Sequence, residues 1–207
     1  NADLVVFAGD IFDNEYEAVQ NPDRIAKTLA GIKSRYGSFG VFGNHDVTER
    51  LLGGFSVASQ AKEMRDPRFE EFAKKAKIRI LVGRKDAQKP GDGTKNRIEP
   101  EVILSGLDKA KPIIVLEHQP KQLKELETAG ADMQLCGHTH DGQMFPGNLT
   151  VKLMWENACG YLKKGNLHSI VTSGVGVWGP AMRVGCALLY ESGNGTTEWK
   201  KEGVSER

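Results

Sequence analysis

Cysteine is scarce in this chain of 207 residues: Cys136, Cys159 and Cys186 are the whole supply. Odd in number, widely spaced and free of C-x-x-C pairs, they argue against a disulfide framework and against a thiolate zinc site. They read as free thiols, buried or half-buried. Long apolar runs are lacking too. None approaches the ~18 residues that a membrane span needs, so the chain as given is expected to be soluble. Charge of one sign is also missing: 28 Lys plus Arg stand against 27 Asp plus Glu, a net +1. That balance gives no electrostatic case for binding nucleic acid or a membrane surface, and any phosphate recognition must be local. Nor is there an opening Met. The chain enters a strand directly after Asn1-Ala2-Asp3, so an amino-terminal piece, with any localisation signal, is expected to be missing.

With 39% hydrophobic residues, the length suits one domain with a large core. We read that domain over 1–190, truncated at its amino terminus, followed by a polar, Gly-rich tail over 191–207. Leu4–Ala8 is an unbroken apolar run ending at Gly9-Asp10, the pattern of a buried strand opening into a loop. A helix is predicted over Asp23–Arg35, stopped by Gly37, and a strand over Phe39–Phe42. Residues 67–77 read as a helix, 78–82 as a strand and 84–97 as an exposed loop. Further strands are predicted at Val102–Leu104, Ile113–Leu116, Met133–Cys136, Ser169–Thr172 and Cys186–Tyr190, with a helix over Lys121–Ala129. The fold class is α/β: two packed sheets, partly parallel and partly antiparallel, flanked by helices.

Histidine is rare, five residues in all, yet four fall at strand ends: His45 in Gly43-Asn44-His45-Asp46, His118, and the pair His138 and His140. Four strands thus end in metal-competent side chains, Asp10, Asn44, His118 and His138/His140, the usual address of chemistry in α/β sheets. An H-x-H pair can aim both imidazoles at one cluster only if the backbone turns, and Gly137 permits that turn. Imidazole nitrogen with carboxylate and amide oxygen suits Mn, Fe, Zn or a similar divalent ion. His45 is left over for acid chemistry.

The ordered phrases GDIFD (9–13), GNHD (43–46), LEHQP (116–120) and GHTHDGQMFP (137–146) resemble the calcineurin-like metallophosphoesterases. Within them they look most like a bacterial branch whose last motif reads GHTHGGQ and which often carries membrane helices or a secretion signal. The resemblance runs from Asp3 to about Gly185. It implies an αββα sandwich of two mixed β-sheets with the metal site on loops at the strand ends. It also implies that Asp10 bridges two divalent metals, that Asn44, His118 and His138 complete the second site, and that His140 binds the first. His45 then stands near the leaving group as a general acid, with Asp46 orienting it and Asp13 supporting the loop. The family's first motif, Asp-x-His, supplies two ligands of the first metal. None precedes Asp10 here, so the second site is complete and the first is not. Asp141 replaces a Gly of the branch.

The chemistry implied is phosphoester hydrolysis, as a phosphodiesterase. Two ions ~3.5–4 Å apart activate a bridging water as hydroxide and stabilise in-line displacement, while His45 protonates the departing oxygen for a gain of ~10²–10⁴-fold. Expected substrates are small phosphoesters, lipid-linked or nucleotide-sugar, with membrane association through a missing amino-terminal segment. The alternative is a degenerate single-metal or phospho-ligand binding module without catalysis. Gly174–Gly179 matches G-x-G-x-x-G, but Pro180 follows where a dinucleotide site needs a helix, so we read a glycine-rich turn at the site's edge. Trp178 and Arg183 there are candidate substrate contacts, against a packed indole and a solvated guanidinium. His168 reads as an ordinary strand residue.

Overall fold

A computed structural model of the chain describes residues 2–10, 20–41, 43, 56–57, 80–83, 98–179 and 181–185. Strands β1 (Val5–Phe7), β2 (Ser38–Gly40) and β3 (Ser56–Val57) form one sheet in that order, with parallel pairing throughout, and helix α1 (Pro22–Ala30) lies between β1 and β2 in the chain. A parallel pair needs such a crossover, because no tight turn can return the chain to the same end.

The second sheet has five strands in the order β4-β5-β6-β8-β7: β4 (Ile80–Gly83), β5 (Ile113–Leu116), β6 (Met133–Cys136), β7 (Gly160–Lys164) and β8 (Leu167–Val171). Four run parallel, and only β7, paired with β8, is antiparallel. Helices α2 (Pro100–Leu104), α3 (Leu123–Ala129) and α4 (Gly147–Met154) connect them.

Strand β5 shows how the layers form. All four of its residues are buried, and alternation sends them to opposite faces. Ile114 and Leu116 meet Phe39, Val41, Leu4, Val6 and Ala8 of the small sheet, with Met133 and Leu135 alongside. Ile113 and Val115 meet Leu104 of α2 and Leu123, Leu126 and Ala129 of α3. Two sheets therefore face each other, and helices cover the outer face of the larger one. This is the α/β architecture that the sequence predicts.

Several elements differ from expectation. Residues Val102–Leu104 are helix, not strand. Pro100 pre-sets the first turn, Val102 and Ile103 both donate to the Glu99 carbonyl at 3.1 Å, and only Pro100 and Leu104, one turn apart, are buried. Helix α1 stops at Gly31, well before Gly37. The residues beyond it are drawn alongside the start of the chain: Tyr36 donates to the Asp3 carbonyl at 2.8 Å and Arg35 to that of Ala2 at 3.4 Å. The expected helix 67–77, loop 84–97, strand Cys186–Tyr190 and tail 191–207 lie outside the described residues. No described helix is long and apolar enough to cross a membrane.

Candidate metal centre

Strands β1, β2, β5 and β6 all point their carboxyl ends to one edge of the sandwich, and the loops that follow carry Asp10, Gly43, His118 and His138. His118 stands at the centre. Its Nε2 is 2.7 Å from Asp10 Oδ2 and 3.1 Å from His138 Nδ1, and one ligand atom from each of the three lies within 4.8 Å of the others.

The other nitrogen of His118, Nδ1, is 2.7 Å from the carbonyl oxygen of Ala8. A carbonyl only accepts, so Nδ1 carries hydrogen, and in the neutral ring the Nε2 lone pair faces the cluster. When the ring is neutral, two acceptors, that lone pair and the Asp10 carboxylate, confront each other at 2.7 Å; when it is protonated, Nε2–H pairs with the carboxylate instead. A divalent cation relieves that confrontation, and a carboxylate oxygen with two imidazole nitrogens suits a first-row ion. His118 is only 1% exposed, so solvent does not screen the arrangement.

His138 is prepared for the same task. Burial, reinforced by the charges of His118, His140 and Lys121 and opposed by Asp10, holds its pKa down at about 4. The ring is therefore neutral near pH 7 and keeps a lone pair for a metal. It stands edge-on to His118, ring centres 4.9 Å apart, and to Trp155 at 5.3 Å. The Lys121 ammonium lies 5.3 Å from the Trp155 ring centre.

Two glycines let the carboxylate side close. Gly9 has φ 84°, and a Cβ there would sit 2.6 Å from Gly43 N and 2.9 Å from His118 Nδ1. A Cβ on Gly43 would overlap the Asp10 carboxylate itself. Only bare backbone allows these loops to meet.

On the histidine side the turn is not made at Gly137, whose φ is not positive. His138 at φ 74°, His140 at 51°, Asp141 at 50° and Gln143 at 52° take positive φ themselves, as Asp10 does at 50°. Each such residue costs on the order of 1–3 kcal/mol and persists only where its surroundings dictate it. Those surroundings are visible. Gln143 donates to the Trp178 carbonyl and accepts from its N–H, both at 2.5 Å. Arg183 donates to the carbonyls of His140 at 3.2 Å, Ser173 at 2.6 Å and Gly176 at 2.5 Å.

The structure thus brings together three of the five predicted ligands, Asp10, His118 and His138. His140 stands outside that group, on the turn His140–Gly142, its ring facing Gly174. Asn44, His45, Asp46 and Asp13 lie outside the described residues. Arg183 is partly buried, its guanidinium held by the loop carbonyls, and Trp178 is 51% exposed. No described helix follows Gly174–Gly179, in keeping with the turn reading. His168, on β8, accepts or donates at 2.8 Å with the Tyr161 hydroxyl. Sequence reasoning passed over Trp155 and Gln143, whose roles depend on partners distant in the chain.

Fold and cluster together define an α/β protein with a candidate divalent-metal site where its two sheets converge. The model of the calcineurin-like phosphoesterase family matches residues 1–142, and the chain belongs to that family. It is 34% identical over 199 residues to a "Transmembrane protein with metallophosphoesterase domain" of Danio rerio, covering 89% of this chain and 44% of that protein. An "Uncharacterized metallophosphoesterase" of Helicobacter pylori is 30% identical over 206 residues, 87% of this chain and 48% of its own length. Another from Aquifex aeolicus is 29% identical over 187 residues, 88% and 68% of the two chains. The chain spans about half the length of the first two relatives. No solved structure matches significantly.

Proposed function

We propose that this chain is the hydrolytic domain of a metal-dependent phosphodiesterase. The observation that carries the reading is the Asp10–His118–His138 cluster at converging strand ends. Divalent ions, when bound, supply Lewis acidity that polarises phosphoryl oxygens and makes a water acidic near neutral pH. Asp10 offers them a carboxylate, His118 and His138 offer neutral nitrogens, and His140, with Asn44 of the Gly43-Asn44-His45-Asp46 phrase, completes the donor set. His45, with Asp46 beside it in sequence, delivers a proton to the departing oxygen. The substrate class we propose is a lipid-linked phosphodiester. Phe145, Leu149, Leu153, Met154 and Trp178, from the segments next to the histidine loop, are each more than half exposed and offer an apolar flank.

The test is hydrolysis of bis(p-nitrophenyl) phosphate and p-nitrophenyl phosphate with Mn²⁺ added, for wild type and His45→Ala. We expect metal-dependent turnover that favours the diester, slowed ~10²–10⁴-fold in the variant with metal content unchanged. A protein that binds metal but releases nitrophenolate from neither ester would be a phospho-ligand binding module instead.

A further inference from the structure

A chain of buried polar side chains links the two histidine loops from behind. Gln134, on β6 and four residues before His138, donates from its amide nitrogen to Glu117 Oε1 at 2.5 Å and to the Lys121 carbonyl at 3.2 Å. Its amide oxygen accepts from the Ser169 hydroxyl at 2.9 Å. Ser169, on β8, accepts from Asn157 Nδ2 at 3.0 Å, and the same nitrogen donates to the Ser169 carbonyl at 3.2 Å. The next residue, Ala158, accepts through its carbonyl from the Thr139 hydroxyl. Glu117 adjoins His118 in sequence, and Thr139 lies between His138 and His140.

Chemistry fixes the direction of this chain. Carboxylate and carbonyl oxygens only accept and amide NH₂ groups only donate, so the bonds run Asn157 to Ser169 to Gln134 to Glu117. Glu117, Gln134 and Ser169 are 0% exposed and Asn157 is 4%. Water cannot replace a lost partner there, and an apolar residue at 169 removes the hydroxyl that donates to the Gln134 amide oxygen. None of these side chains belongs to the donor cluster.

We propose that Gln134 and Ser169 are positioning residues, holding the His118 loop and the His138 loop at the separation a divalent ion requires. They set the affinity of the site and not only the stability of the fold. This rests on the reading of Asp10, His118 and His138 as metal ligands.

The test compares wild type, Ser169→Ala and Ser169→Thr in the full chain, with Leu104→Val as a control in the apolar layer on the outer face of the larger sheet. Three quantities are measured: the Zn²⁺ dissociation constant by calorimetry, the visible ligand-field spectrum of the Co²⁺ form, and the thermal midpoint without metal. Loss of a group that orients metal ligands typically costs ~10–100-fold in affinity. We expect that loss and an altered Co²⁺ spectrum in Ser169→Ala, recovery in Ser169→Thr, and an unchanged dissociation constant in Leu104→Val despite its lowered midpoint. Should Ser169→Ala not fold, Asn157→Asp replaces the donor with an acceptor at constant size and carries the same expectation. Wild-type affinity and spectrum in Ser169→Ala overturn the positioning role while leaving the metal site standing. Wild type that binds neither Zn²⁺ nor Co²⁺ overturns the site, and the proposal with it.

Discussion

Asp10 leaves the three-stranded sheet and is held by backbone packed on backbone, whereas His118 and His138 leave the five-stranded sheet and are held by directed hydrogen bonds. On the first side, strand β1 is only partly buried, and the precision comes from two glycines whose missing side chains let the loops touch. On the second, β5 is wholly buried, the turn carries four non-glycine residues at positive φ, and Gln143, Arg183 and Thr139 hold it there. A steric device tolerates no added atom. A polar device tolerates changes of size but not the loss of a donor or an acceptor.

The largest effect that would break this comparison is expected at Gly43. Gly43→Ala places a methyl in the Asp10 carboxylate, and overpacking of this kind costs ~1–3 kcal/mol. We expect a lower thermal midpoint and loss of tight metal binding, both read by calorimetry. Full retention of metal would show that the carboxylate loop is not sterically set.

A smaller effect sharpens the histidine side. Its cause is that burial holds the pKa of His138 at about 4, below the 6.5 of an ordinary imidazole. As pH falls below 6.5, the unfolded chain takes up a proton that the folded metal-free protein refuses until about pH 4. Stability contributed by this residue is therefore complete above the unfolded value and drains away as pH falls from 6.5 toward 4. Thermal midpoints of metal-free wild type and His138→Asn should converge over that window and run parallel above it. Parallel curves throughout would mean that the ring is not desolvated.

The smallest effect is expected at Gly137. A Cβ there would meet Ala8 Cβ at 3.8 Å, ordinary contact, and φ is not positive. Gly137→Ala should be neutral or stabilising by ~0.4–1 kcal/mol through the unfolded chain, seen as an unchanged or slightly raised midpoint. Strong destabilisation would return the turn to Gly137, where the sequence had placed it.

Legibility follows the range of the interactions. Strands β5 and β6 match their predicted bounds because a short apolar run ending in a polar loop is a local signal. Asp10, His118 and His138 were readable for the same reason, each sitting just past such a run. Helix α4 was not, because its apolar residues face outward and none is buried, so no core-facing period marks it. The short helix α2 was mistaken for a strand because three apolar residues carry no period. Gln134, Ser169 and Asn157 gave no signal at all. Their meaning lies in partners brought close only by the order of the strands.

The most direct test of the account is metal content by mass spectrometry after equilibrium dialysis against Zn²⁺ or Mn²⁺, for wild type, Asp10→Ala and His118→Ala. The account predicts that wild type retains at least one ion per chain and that each variant loses it while staying folded. Equal retention in wild type and both folded variants would contradict it.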